Sequence, residues 1–395
     1  MPVSIDEVGV VKVDSEDIDE QPRPRARELG LIIGVVPPGN LNAITDVPDV
    51  RVGQTTVAWG EGALRPGHGP ARTGVTVVLP HGGNLFWEKV PAAIHVLNGF
   101  GKCMGIEQVE ELGTIESPIA LTSTLCVGRV ADALVTHGIR DNPEIGITTS
   151  TVNPVVGECS DAFLNDIQGR HVREEHVLAA IDAASGGTVE EGSVGAGMGM
   201  IAFGFKGGIG TASRVIAPPV GGWTVGILVL ANFGLPHQLV IDGVPVGRDL
   251  VRRHHHPPER GSIMIIVATD APLFDHGLRR MARRAGFGLA RTGSMSGHGS
   301  GDIVIAFSSA PAVRIPHAAG GLTLPLEVVA EQGPPGSARA IDALFAATIE
   351  ATEEAIVNAL LRATTVVGRD GNVGRALPLE PVWQILNAAG RIRRP

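Results

Sequence analysis

The chain has 395 residues, 44% of them hydrophobic, and a formal net charge of −9 at neutral pH. That length suits one large domain or two ordinary ones, and the apolar content can bury a sizeable core. The acidic balance excludes a nucleic-acid partner, which needs a basic stripe, and the apolar runs fall short of the roughly 18 residues of a membrane span.

The 53 glycines and 28 prolines imply many turns and close backbone approaches rather than low complexity. Residues 1–27 are acidic and then Pro/Arg-rich, which reads as a disordered extension without the apolar stretch of a secretory signal. Residues 28–395 read as a single domain. Cys103, Cys126 and Cys159 are too widely spaced for a disulfide framework or a zinc site. A cytoplasmic location is the expectation.

In chain order, strands are predicted over 31–36, 50–56, 73–78 and 119–121, with helices over 106–112 and 129–136. A helix over 176–184 precedes a Gly-rich strand block at 193–205 and a strand at 210–216. A strand over 224–231 leads to a basic loop, Arg252 to Arg260, and then to an apolar strand over 263–269. Residues 276–285 read as a basic amphipathic helix whose Arg279, Arg280, Arg283 and Arg284 form one solvated face. A strand over 302–307 follows. The longest helix is predicted over 337–363, where Ile341, Leu344, Phe345, Ile349, Ile356, Leu360 and Leu361 recur at helical spacing. Strands grouped on either side of helices predict α+β layers around a mixed or mainly antiparallel sheet.

Several motifs fail on inspection. Gly197 to Ala202 fits GxGxxA, yet no helix starts there, so a Gly-rich hairpin is expected and no nicotinamide cofactor. Three adjacent imidazoles, His254 to His256, cannot easily converge on one ion, and no metal is expected. Cys159 has no visible base, and no GxSxG elbow is present.

What remains is a junction and some polar residues set in apolar strands. Gly261-Ser262 separates the basic loop from the apolar strand at 263. A cut there would give Ser262 a hydroxyl and a free amine, a nucleophile with its own base. An ordinary loop-to-strand start reads the same residues as well. Asn232 ends one apolar strand, Ser300 and Asp302 open another, and Glu158 lies in NPVVGECSDAFLNDI. Each alone suits a strand-end turn; together with Ser262 they supply a nucleophile, an amide donor, a hydroxyl relay and carboxylates.

In these residues the chain resembles the self-processing aminopeptidases that include the L-aminopeptidase/D-Ala-esterase/amidases and the β-peptidyl aminopeptidases. The resemblance runs from about Gly39 onward through PGNLNAITDVPDVRVGQTTV, LNGFGKCMGIEQVEELG, EGSVGAGMGMIAFGFKGGIGTASRV, VLANFG, the RGS junction and TGSMSGHGSGDIVIAFS. It implies a four-layer αββα sandwich similar to N-terminal-nucleophile hydrolases, related in topology to ornithine acetyltransferases. It implies autocleavage between Gly261 and Ser262 into subunits 1–261 and 262–395. Ser262 matches the nucleophile, Asn232 the oxyanion donor, and Ser300 with Asp302 the pair that orients the nucleophile. Glu158 matches the carboxylate that holds a substrate amine, and Ser160 lies at a substrate-binding position where relatives carry Tyr or Asn. Lys102 and Cys103 stand where relatives show a carboxylate. The implied partner is a small peptide, amide or ester with a free amine, hydrolysed without a cofactor, and the implied assembly is a homo-oligomer of processed heterodimers. An acyltransferase on the related fold and an uncleaved, non-catalytic binding protein are the alternatives.

Overall fold

The computed structural model describes residues 23–250, 261–318, 320–330 and 339–393. The basic loop at 252–260, the first 22 residues and the predicted start of the last long helix at 337 lie outside the described residues.

Alternation along the strands sorts the apolar side chains into layers. Strands β1 (Arg51–Trp59), β2 (Ala71–Leu79), β5 (Ile119–Ser123) and β6 (Val155–Cys159) form a four-stranded sheet in that order, with β5 and β6 parallel. A seven-stranded sheet contains β3 (Glu88–Gly99), β4 (Thr114–Ile115), β9 (Gly208–Val215), β10 (Thr224–Asn232), β11 (Ser262–Thr269), β12 (Gly301–Ser308) and β13 (Ile315–Pro316). Its order is β13-β3-β12-β11-β10-β9, β4 pairs with β3, and only β11 and β12 run parallel. Successive strand residues face opposite sides. Ile263, Ile265 and Val267 therefore join Ile227 and Val229 beneath helices α5 (Asp275–Arg291) and α6 (Ala340–Arg362). Met264, Ile266, Leu228 and Leu230 face the other way and meet Ile119, Leu121 and Val155 of the smaller sheet. The outer face of that sheet is covered by α2 (Val127–Asp141) and α3 (Glu174–Asp182), while α1 (Ile106–Leu112) follows β3 and α4 (Val246–Leu250) follows β10. The result is the expected αββα sandwich with mixed sheets. Strands buried on both faces read as continuous apolar runs, which is why β10, β11 and β12 stand out in the sequence. Among the described residues no helix is long and apolar enough to cross a membrane.

Four expectations need correction. Residues 31–36 form no strand: Gly34 has φ +78°, and two of the segment's backbone groups bond to side chains rather than to a ladder. Arg214 donates to the Ile33 carbonyl at 2.7 Å and Val36 N–H donates to Glu350 at 2.9 Å. Residues 23–27, predicted as part of a disordered extension, are folded onto the rest of the chain. Arg23 is buried and donates to Leu361 O at 2.8 Å, Arg25 pairs with Glu191 at 2.7 Å, and Arg27 pairs with Glu354 at 2.8 Å. The block at 193–205 is a 3-10 turn, Gly195–Gly199, followed by a short hairpin of β7 (Ile201–Ala202) and β8 (Phe205–Lys206). The arginine face of α5 is only partly solvated, because Arg280 and Arg284 lie over the Phe345 ring at 5.0 and 3.9 Å.

Candidate active site

The parallel pairing of β11 with β12 and the antiparallel pairing of β11 with β10 bring three strand ends together. Ser262 opens β11 opposite Asn232, the last residue of β10. Ile263 lies opposite Asp302 on β12. Gly261, just before the strand, is pressed against β10: a Cβ there would sit 1.9 Å from the Asn232 carbonyl oxygen and 2.6 Å from Phe233 Cα. No larger residue fits without moving the backbone that carries Asn232.

Ser262 Oγ accepts a hydrogen bond from the Gly301 N–H at 3.0 Å. A donor on the oxygen favours its alkoxide form and leaves the hydroxyl proton free to go to a base. Just before β12, Ser300 Oγ donates to Asp302 Oδ1 at 2.5 Å, while Asp302 Oδ2 is buried and has no partner among the described residues. Burial raises the Asp302 carboxyl above its ordinary range, and the Ser300 bond offsets part of that rise.

The Asn232 amide is held in one orientation. Its Oδ1 accepts from the Ile201 N–H at 2.8 Å, and its Nδ2 donates to the Ser160 carbonyl at 3.0 Å. The N–H on one side and the carbonyl on the other fix which end is which, and one Nδ2 hydrogen is left over. Ile201 is itself set by the glycine turn before it, and beneath that turn lies Lys206. The Lys206 side chain is fully buried with no carboxylate partner among the described residues. It donates to the carbonyls of Gly197 and Gly207, each at 2.8 Å. Burial pushes its ammonium down to about 7.

Glu158, near the end of β6, faces this group from the smaller sheet. It is 3% exposed; Oε1 accepts from the Lys102 N–H at 2.9 Å, and Oε2 accepts from the Thr124 hydroxyl. Among the described residues no cation pairs with it. Ser160 serves Asn232 through its backbone carbonyl, and its side chain lines the pocket. Cys159 is an interior donor to the Ser262 carbonyl at 3.3 Å, and burial holds its thiol well above the ordinary range, so it supplies no thiolate.

A pocket of about 420 Å³ opens over Ser262, with Glu158, Ser160, Ser300 and Lys102 in its lining. The structure thus brings Ser262, Asn232, Ser300, Asp302, Glu158 and Ser160 to one place. Thr124, the Gly301 amide and Lys206 are absent from the sequence-based set. A backbone amide carries no side-chain signal, Thr124 lies among unremarkable residues just past β5, and Lys206 is masked by the Gly-rich run around it. The arrangement offers a hydroxyl nucleophile, an amide donor for a developing oxyanion, and a separate carboxylate able to hold a cation, which together suit acyl transfer.

Comparison with known proteins agrees. The model of peptidase family S58 matches residues 42–374. The chain is 40% identical over 378 residues to the beta-peptidyl aminopeptidase BapA of Sphingosinicella xenopeptidilytica, covering 92% of this chain and 91% of that one. It is similar to the PH0078 protein of Pyrococcus horikoshii OT3, with a TM-score of 0.86 and 49% identity over 93% of this chain and all of the other. The L-aminopeptidase D-Ala-esterase/amidase of Ochrobactrum anthropi, described as a prototype for the serine aminopeptidases and a new variant among the Ntn hydrolase fold, gives a TM-score of 0.85 at 39% identity. That match covers 94% of this chain and all of the other.

Proposed function

We propose that this chain, which belongs to peptidase family S58 and is an aminopeptidase of the Ntn-hydrolase fold, matures by cutting its own Gly261–Ser262 bond. Ser262 is then an N-terminal nucleophile. The observation that carries the reading is that Ser262, Ser300 and Glu158 line one pocket, with Asn232 opposite Ser262 in the sheet and Asp302 hydrogen-bonded to Ser300.

In the precursor, Ser262 Oγ attacks the Gly261 carbonyl carbon and the C–N bond breaks, moving the acyl group from nitrogen to oxygen. Water then hydrolyses the ester, leaving Gly261 a carboxylate and Ser262 a free α-amine. In the mature enzyme the α-amine, titrating near 7.7–8.0, takes the Oγ proton as Oγ attacks the first carbonyl of a substrate. The spare Asn232 hydrogen donates to the oxyanion. The amine returns the proton to the leaving nitrogen, and water frees the acyl-enzyme. Ser300 and Asp302 orient the nucleophile, and Ser160 bounds the substrate. Glu158 holds the substrate ammonium, since a buried carboxylate without a cation is costly; substrates with blocked amines bind poorly.

The substrate is a small peptide, amide or ester with a free amine, its first residue an α- or β-amino acid, since either brings an ammonium and a carbonyl into the pocket. Membership of the family favours hydrolysis over acyl transfer and sets aside the non-catalytic reading. The proposal includes a homo-oligomer of processed heterodimers, resting on the family resemblance, and no nucleic-acid partner, from the acidic balance. It also includes a cytoplasmic location, supported by three cysteines that are all unpaired.

Intact mass spectrometry with N-terminal sequencing tests the reading. A fragment beginning at Ser262 is expected from the wild type, and a single uncut chain without activity from Ser262→Ala. A wild type that stays whole, or two fragments from Ser262→Ala, defeats self-processing by this serine.

A further inference from the structure

Two charged side chains, Glu158 and Lys102, line the pocket over Ser262, and they do not pair. The Lys102 backbone N–H lies 2.9 Å from Glu158 Oε1, so its side chain starts within reach of that carboxylate. The ammonium instead rests over the Phe100 ring, 4.5 Å from its centroid. An exposed cation–π contact and an exposed ion pair are of similar strength, each up to about 1 kcal/mol, so this placement costs little. It has two effects. Among the described residues Glu158 stays open to a cation from outside, and Lys102 stays open to an anion. At the same mouth Phe100 and Met295 are 56% and 64% exposed, an apolar wall between water and the pocket.

A carboxylate at one end, an apolar wall and an ammonium at the other complement a short zwitterion. We propose that Lys102 is a specificity-determining residue that selects substrates carrying a carboxylate away from the scissile bond. The inference rests on the reading of Ser262 and Glu158 given above. The carboxylate has two sources: the free C-terminus of a short peptide, or an acidic side chain on the first residue. Two extended residues span about 7 Å, a length comparable with a lysine side chain, so a dipeptide can reach from Glu158 to Lys102.

The test compares matched substrates on the processed enzyme. One arm sets alanyl-alanine against its C-terminal amide; the other sets aspartyl p-nitroanilide against asparaginyl p-nitroanilide. In at least one arm the wild type prefers the anion in kcat/KM by roughly fivefold, the scale of an exposed ion pair, with the difference in KM and shrinking at high salt. Lys102→Gln brings that ratio close to one, Lys102→Arg restores it, and Lys102→Glu inverts it. A ratio within one enzyme is insensitive to how much of it folds. The first arm responding identifies a C-terminal carboxylate, the second a side-chain acid. Ratios that Lys102 does not move in either arm overturn this proposal alone. No turnover of any substrate, with an uncut chain, overturns both this and the reading it rests on.

Discussion

The two sheets contribute to the pocket in different ways. From the seven-stranded sheet come Ser262, Asn232 and Asp302, on adjacent strands and tied by register, Asn232 opposite Ser262 and Ile263 opposite Asp302, with Ser300 one residue before β12. From the four-stranded sheet comes Glu158, with Thr124 just past the neighbouring strand. Groups on adjacent strands cannot shift relative to one another without a register slip, which turns every side chain over. Groups on facing sheets are related only through the apolar layer between them. Gly157 shows how that layer is set: a Cβ there would sit 2.5 Å from Met264 Cε, so the missing side chain makes room for the β11 methionine next to the site. Rigid register suits bond-making, and a packed interface suits recognition that can vary. Lys102 and Ser160 both lie on the Glu158 side of the pocket, Lys102 hydrogen-bonded through its backbone to Glu158 and Ser160 just past β6.

This division is open to being broken. The largest effect is expected at Asn232: replacing it with Ala in the mature enzyme lowers kcat by about 10²–10³ if it donates to the oxyanion, with KM little changed. Steady-state kinetics on an amino-acid p-nitroanilide read this, and a loss confined to KM would move Asn232 to the recognition side. Next comes Glu158→Gln, which removes charge while keeping shape. Loss of one charge-assisted contact raises KM by about 10–100-fold and leaves kcat within a few-fold; a fall in kcat alone would make Glu158 part of the chemistry.

The smallest effect sharpens the comparison at the glycine turn that orients Asn232. Lys206 is depressed from 10.5 to about 7 by burial. Between those values the unfolded chain binds the extra proton and the native chain does not, so wild-type stability gains from Lys206 as pH rises. Denaturant melts at pH 7 and 8.5 should show wild type gaining about 1.5 kcal/mol relative to Lys206→Met. Groups common to both proteins cancel in that difference. An equal pH response in the two would mean the buried amine keeps its proton.

Much of the architecture was legible because β10, β11 and β12 are buried on both faces and spell themselves as apolar runs. β3 was not, since Pro91, His95 and Asn98 interrupt its pattern, and β6 was not, since Gly157 and Glu158 occupy a five-residue strand. The segment 31–36 misleads in the opposite way. Leu31 and Ile33 are buried while Val35 is exposed, and the Ile33 carbonyl and Val36 N–H bond to side chains from β9 and α6, which local sequence cannot reveal. The candidate site was legible as a set of polar residues at strand ends, and the resemblance to a family joined them. What sequence could not supply was direction: which amide faces Ser262, which carbonyl takes the Asn232 hydrogen, which ring takes the Lys102 ammonium.

β11 lies between β10 and β12, so the Gly261–Ser262 bond enters the sheet at an interior strand. A cut there leaves two pieces that share one core and are held by the ladders on either side. Once unfolded, they are two molecules, and regaining the fold requires an encounter whose cost a single chain avoids. The proposed maturation would then be a one-way gate in the life of the molecule. The precursor can find its fold again after opening, whereas the lifetime of the mature form depends on how slowly it first comes apart.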